Sequence, residues 1–373
     1  MSRLKFLPPL DDLVALRDLQ ITGSQLEWLP DLSKNKALES LNVERNYLKY
    51  LPSLKGLSRL EFLVAEQNVL EEFPDIDPNS RLAVLQLSSN QIESVPSLPF
   101  PRLQELRMSA NILTALPPLE ELRQLEVLDV GWNRLTEIPS LKHLTQLRFL
   151  NVMKNSLDRM PSLQSNTELR TVDVSRNKLT HLPTLENAHQ LEMLSMNSNK
   201  LEEMPGISSA ASIDSLNLGW NELRSLNLTG PQYMSMRVLD ARSNELEWIA
   251  GVESMSSLQR LELDWNRLTA LSVRLPRTLR HLSVSYNRLT KLANLGLAPK
   301  LVNLKASNNQ LRSVDGLEKM HALVVCNLEH NNITSLPSLE ALSSLEIVSL
   351  GFNTLTELCR QRAADPRGCR VQR

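Results

Sequence analysis

Little in this sequence could do covalent chemistry. The 373 residues include six histidines and three cysteines, and no Cys–His pair stands at a spacing that suits a metal-ligand set or an activated thiol. Gly-rich phosphate loops, a G-x-S-x-G elbow and an H-E-x-x-H pair are all missing. The sequence therefore predicts no catalytic residue, no metal and no cofactor. It offers instead a series suited to recognition. Trp132, Trp220, Trp265, Tyr286, His330 and Phe352 each stand one residue before an asparagine, and three of the five tryptophans share that position. Trp and Tyr bury large area at low entropic cost, which is why they dominate binding hot spots. Near Trp265 the same segments carry Asp240, Arg242, Glu262 and Asp264, which would form a polar rim about the rings. The competing reading is that each ring packs on a neighbouring segment and covers its short side chains, as Gly131 and Gly219 beside Trp132 and Trp220 would allow. Trp28 and Tyr50 share another offset, and edge packing accounts for them.

A second group is basic: Arg134, Lys154, Arg176, Lys178 and Lys200, interleaved with Glu126, Asp129, Asp173 and Glu192. Alone it would suit an acidic partner or a phosphate backbone. The chain as a whole balances 41 Lys and Arg against 42 Asp and Glu, so no net field draws it to nucleic acid or to an anionic membrane. Neither nucleic acid nor membrane is an expected partner.

The elements that position these residues are legible from an internal repeat. Leu125-Glu126-Val127-Leu128-Asp129-Val130-Gly131-Trp132-Asn133-Arg134-Leu135 reads L-x-x-L-x-L-x-x-N-x-L, and sixteen copies follow one another from Ser24 through Asn46 and Asn221 to Asn353. Their mean spacing is about 22 residues, the signature of a stacked repeat architecture. The x-L-x-L-x portion alternates with period two, so its leucines face inward from a short strand, and stacked copies pair into a parallel sheet. An asparagine where the chain leaves the strand can donate and accept, and so satisfies turn backbone that would otherwise be buried unpaired. Ser24 takes that position in the first copy.

The return half of each repeat is too short for a full helix. Proline recurs six residues after the asparagine, at Pro30, Pro52, Pro74 and on to Pro205, and then only at Pro337. Its fixed φ and missing donor favour an extended return path. Repeats of this proline style run to about residue 205. From about 206 to 335 most repeats have another style, with Gly251 and Gly316 in the return segment. Residues 1–358 read as one solenoid and 359–373 as a basic tail.

These motifs resemble the leucine-rich-repeat superfamily across nearly the whole chain. The resemblance implies an α/β-type repeat solenoid, a horseshoe of about 16 repeats with a parallel sheet on its concave face and 3₁₀ or extended convex segments. It implies a non-catalytic scaffold that binds a protein partner on the concave face at Trp132, Trp220, Asp240, Arg242, Glu262, Asp264, Trp265, Tyr286, His330 and Phe352. The glycine-style repeats are similar to the 22-residue class typified by a regulatory subunit of protein phosphatase 1, so a phosphatase regulatory subunit is the alternative.

Setting and ends complete the expectations. Hydrophobic residues make up 42% and aromatics only 4%, as in many small similar layers rather than a few large ones. No apolar stretch approaches signal-peptide or membrane-span length. Cys326, Cys359 and Cys369 make no disulfide framework, and the sequons at Asn227 and Asn332 fit chance in an Asn-rich chain. The expected setting is a reducing one, cytoplasmic or nuclear. The chain opens in mid-repeat without a polar cap. Either it is part of a longer protein, or its first coil is left for a partner or a second copy.

Overall fold

Three-residue strands, one per repeat, are the only regular structure that the x-L-x-L-x segments can support, because each is bounded by a turn on either side. The computed structural model describes residues 4–271, 274–292, 295–356 and 370–372. Cys359, Cys369 and most of the basic tail lie outside them. The chain forms two compact units: one runs to Leu191 and includes Gly206–Ser208, and the other comprises Glu192–Pro205 and the chain from Ser209 onward.

The first unit holds eight parallel strands: Asp18–Gln20, Ser40–Asn42, Phe62–Val64, Val84–Gln86, Glu105–Arg107, Val127–Asp129, Phe149–Asn151 and Thr171–Asp173. Each pairs with the next in constant register, Leu41 opposite Leu63 and Leu63 opposite Leu85. The second unit repeats the arrangement with Met193–Ser195, Ser215–Asn217, Val238–Asp240, Arg260–Glu262, His281–Ser283, Asn303–Lys305, Val325–Asn327 and Ile347–Ser349, and Arg370–Gln372 pairs beside the last. Sixteen repeats thus give sixteen strands. In the repeat strands from Ser40–Asn42 to Ile347–Ser349 the central side chain is buried, and Leu41, Leu128, Leu216 and Leu261 are wholly so. A roughly 19-residue return path is long enough to bring the chain back in the same direction, as parallel pairing requires.

The return segments differ in kind. In the first unit they are extended, joined by lone bridges such as Leu54 with Ile76. The 3₁₀ helices, Pro231–Tyr233, Val252–Ser254, Leu295–Leu297 and Leu317–Lys319, all fall in the second, where the proline series has lapsed. Gly251 and Gly316 precede two of them with φ near 92°. A Cβ on Gly251 would lie 2.2 Å from the Leu228 carbonyl oxygen, so only glycine fits. The second unit also carries a small parallel sheet of Ser225–Asn227 and Trp248–Ala250, which the repeat pattern does not announce.

Asparagine ladders hold the coils together. Asn68 is typical: its Nδ2 donates to the carbonyls of Val43 at 2.9 Å, Ala65 at 3.2 Å and Glu66 at 3.2 Å. Its Oδ1 accepts the Leu48 amide at 3.0 Å. Asn221 makes the same four bonds in the second unit, to Met196, Leu218, Gly219 and Leu201. One buried side chain thus serves two coils. Removing it as Asn68→Ala leaves the Leu48 amide without its acceptor and should cost about 1–3 kcal/mol in equilibrium urea unfolding. An unchanged midpoint would show that solvent or a neighbouring carbonyl takes over the asparagine's role.

Candidate functional site

The residue before each asparagine has an unusual backbone. From Arg45 to Phe352 all fifteen have φ between 50° and 58°, and Gly23 has φ 60°. This left-handed turn aims two groups at the following coil: the Trp220 amide donates to Arg242 O at 2.8 Å, and the next amide, of Asn221, donates to Ser243 O at 3.2 Å. Trp265 repeats the arrangement, donating to Ser285 O at 2.9 Å. A left-handed residue costs roughly 1–2 kcal/mol unless it is glycine or, to a lesser extent, asparagine, and forked side chains suffer most. Among these sixteen positions only Gly23 and Asn308 are of the favoured types, and none is Val, Ile or Thr. The backbone therefore gives no reason for tryptophan there.

The turn throws these side chains outward. Trp132, Trp220, Trp265 and Tyr286 are about half exposed, at 46%, 51%, 55% and 41%, and Phe352 reaches 76%. They are also stacked along the solenoid within each unit. Trp265 and Tyr286 lie face to face with centroids 3.7 Å apart and planes within 6°, and His330 lies on Phe352 at 4.1 Å and 8°. Lys154 Nζ sits 3.4 Å above the Trp132 ring, and the Arg242 guanidinium 5.6 Å from the Trp220 centroid. Exposure and packing on the next coil are thus not exclusive: one ring face is covered and the rest is presented to solvent. Ser243 places a small side chain between Trp220 and Trp265 in the column, and Ser198 and Asn308 are its other two positions without a ring in the second unit.

The charged residues predicted beside these rings are brought together with them. Arg242 Nε donates to Asp240 Oδ1 and Oδ2 at 2.9 and 3.0 Å, and its Nη2 to Glu262 Oε2 at 2.8 Å. Arg260 reaches the other Glu262 oxygen at 3.4 Å. Half-burial works against the Arg242 cation, but its bond to Asp240 and the charges of Asp240, Glu262 and Asp264 outweigh this and raise its pKa above the ordinary value. Asp264 is held differently, its Oδ1 accepting the Ser283 hydroxyl and the Ser285 amide, both at 2.7 Å. A Cβ on Gly219 would meet Arg242 Cγ at 3.3 Å, so glycine there lets Arg242 lie against the strand. Arg242, Glu262 and Asp264, though not Asp240, line an open hollow of about 580 Å³ with Trp220, Trp265 and Tyr286, floored by serines and bordered by Lys305. His330 and Phe352 are not among its lining residues, and Trp132 belongs to the other unit.

In the first unit the carboxylates near the basic group are internally bonded. Glu126 meets Arg148 at 2.8 Å, Asp129 accepts Gly131 N and Asn151 Nδ2, and Asp173 accepts the Ser175 amide and hydroxyl. Burial raises the pKa of Asp129 and of Glu66 above the usual carboxylate range. Trp28 lies 6.1 Å from Phe6, and Tyr50 donates to Glu71 at 2.9 Å. Cys326 is buried at a core position, and burial pushes its thiol up to about 12, which makes it unreactive. Among the described residues no group of three or more His, Cys, Asp or Glu side chains is placed to hold a metal, and no helix is long and apolar enough to cross a membrane. Sequence reasoning missed Trp248, which is 49% exposed on the small second sheet.

No protein-family model matches the chain, and no curated protein matches it. Solved structures do. A leucine-rich-repeat protein of Leptospira interrogans is 26% identical with a TM-score of 0.76, over 93% of this chain and 94% of that one. YopM of Yersinia enterocolitica is 28% identical with a TM-score of 0.72, over 95% and 76%. The plant peptide hormone receptor RGFR1, in complex with RGF2, is 23% identical with a TM-score of 0.75, over 92% and 64%. The parallel coils, the asparagine ladders and these likenesses define the chain's class as a leucine-rich-repeat solenoid. A resemblance to the phosphatase subunit does not emerge from them.

The left-handed position is open to direct test away from the rings. Ser89 has φ 58°; Ser89→Val should cost about 1–2 kcal/mol in urea unfolding, whereas Ser89→Gly should leave stability unchanged or raise it. Equal effects of the two would mean that the turn relaxes to accept a forked side chain.

Proposed function

We propose that this chain is a non-catalytic scaffold that binds a protein partner on the concave face formed by its strands, centred on repeats ten to thirteen of the second unit. One observation carries the reading: Trp220, Trp265 and Tyr286 are half exposed at a backbone position that disfavours them, beside the bonded set Asp240–Arg242–Glu262. Large rings held outward at a conformational cost are what an interface anchor requires and what a core does not. The complex of the plant receptor with RGF2 supports a proteinaceous ligand for this architecture, and repeat solenoids in general bind through their extended inner surface. A cytoplasmic setting accords with the lone buried thiol of Cys326 and the unpaired spacing of the other cysteines.

Affinity capture followed by mass spectrometry would supply the partner, and the purified pair then tests the site. Trp265→Ala should weaken binding by about 2 kcal/mol or more with little change in melting temperature, and Trp132→Ala, in the other unit, should leave affinity near that of the wild type. Retained affinity with a fallen melting temperature would make Trp265 a coil-packing residue and remove the site. Recovery of a phosphatase catalytic subunit would select the alternative reading of a regulatory subunit.

A further inference from the structure

Three successive coils carry arginine just before the leading leucine of the motif. These are Arg59, Arg81 and Arg102, each exposed and each three residues ahead of its strand. The preceding coil has Ala37 there and the following ones Gln124, Gln146, Glu168 and Gln190, so the run is local to the first unit. Neighbouring parallel strands lie about 4.8 Å apart, which sets three cations side by side where the return segments enter the sheet. Elsewhere in this unit Arg17, Arg107 and Arg148 each meet a carboxylate. Among the described residues Arg59 and Arg102 meet none, and Arg81 reaches Glu61 only at 3.9 Å. Two other carboxylates close in sequence are occupied. Asp77 accepts the Asn79 and Gly56 amides at 2.8 and 2.6 Å, and Glu105 is bonded to Arg107 and Gln86. Three cations less the one carboxylate of Glu61 leave a local excess of two positive charges.

All three arginines line one open hollow of about 480 Å³, together with Pro78, Asn79, Ser80 and Pro101. Its walls come from two irregular return segments. Asn79 stands where the adjoining coils carry the buried Leu57 and Phe100. Between Asn90 and Asn111 the repeat shortens to 21 residues, the one departure from 22 in this unit. Ser80 adds an independent sign. It is only 7% exposed, and its Oγ is covered and bonded to nothing in the protein. A buried hydroxyl without a partner is uncommon and costs free energy. Because Ser80 lines the same hollow, a turn about its Cα–Cβ bond would let an anion oxygen there accept from it.

Charge and shape together select the ligand. A phosphate monoester brings close to two negative charges and three acceptor oxygens, which suit several guanidinium forks at once. A carboxylate brings one charge and two oxygens, and would leave part of the excess uncompensated. Prolines apart, no apolar side chain lines the hollow, so it can grip a charge but not enclose an organic body as small-molecule sites do. A phosphoryl group carried on a larger chain needs only that grip. We propose that Arg59, Arg81, Arg102 and Ser80 form a phosphate-binding site whose ligand is a phosphorylated serine or threonine side chain of another protein. The site belongs to the first unit and stands whether or not the aromatic face of the second unit binds a partner.

The probe is the peptide acetyl-Ala-phosphoserine-Ala-amide, titrated into the full chain at physiological ionic strength while the arginine Nε–H signals are followed by NMR. Arg59→Gln, Arg81→Gln and Arg102→Gln assign three of those signals, which should shift together. Each of these changes should weaken binding about fivefold or more, and glutamate in place of phosphoserine should weaken it about tenfold. Ser80→Ala deletes a hydroxyl that the protein leaves unbonded, so affinity should fall about threefold while the melting temperature holds or rises. Arg134→Gln makes the same charge change elsewhere in the unit and should leave affinity unaltered. Equal binding of the glutamate and phosphoserine peptides, unchanged affinity in Ser80→Ala, or a loss in Arg134→Gln as large as that in Arg59→Gln would each overturn the proposal. Capture of phosphatidic acid vesicles with no response to the peptide would overturn it too, by making the phosphoryl group a lipid's.

Discussion

After the first coil, where Ser24 stands, the coils of this protein hang on an amide side chain that bonds on all sides. A turn that leaves a strand and folds inward buries backbone groups that neither strand pairing nor water can reach. At Asn68 one Nδ2 takes three carbonyls and one Oδ1 takes an amide from the preceding coil. An unpaired buried amide costs more than a typical hydrogen bond contributes, so the ladder is a condition for stacking rather than an addition to it. Once it is in place, the leucines before and after it have a fixed depth. The short strands acquire a register in which Leu41, Leu63 and Leu85 lie in line.

The same turn produces the face proposed for recognition. To aim successive amides at the next coil, the residue before the asparagine must adopt a left-handed conformation, and a side chain on such a residue is thrown clear of the core. Fold and site are therefore two products of one backbone geometry. The core side of the turn is occupied by asparagine, and the solvent side is free to vary. In the second unit that freedom is taken up by Trp220, Trp265, Tyr286, His330 and Phe352. The polar set beside them is pre-ordered, since Arg242 is already fixed between Asp240 and Glu262. A partner docking there would meet side chains whose rotamer freedom is already spent, which lowers the entropic cost of association.

The architecture was legible because its signal is repeated sixteen times and each part of the motif has a single physical use. The alternation in Val127-Leu128-Asp129 and the asparagine four residues after it place the strand and the turn without ambiguity. The outward position of Trp265 was readable for the same reason. The left-handed φ was not deduced, although the absence of Val, Ile and Thr from the column carried it. The stacking of Trp265 on Tyr286 and of Lys154 on Trp132 was also out of reach, because it depends on rotamers chosen between coils 21 or 22 residues apart in sequence. The two-stranded sheet at Ser225–Asn227 and Trp248–Ala250 escaped because its pairing lies in the return segments, where the repeat is irregular. Asn35 and Asn166 escaped too: both are wholly buried where other coils carry leucine, and they donate to the carbonyls of Leu10 and Leu13, and of Leu141 and Leu144.

The left-handed column has a consequence for how such a surface can evolve. Its occupants range from glycine and serine to arginine and tryptophan, so a point mutation there can rewrite the charge, size or aromaticity of the face while the ladder beneath stays intact. The filter it imposes is narrow. Residues branched at Cβ are selected against by the backbone, and proline is barred by its fixed negative φ and missing donor. Drift along this line of the solenoid is therefore cheap in stability, with partner choice separable from folding. A combinatorial library aimed at new ligands would lose little by leaving out Val, Ile, Thr and Pro at these positions and varying everything else.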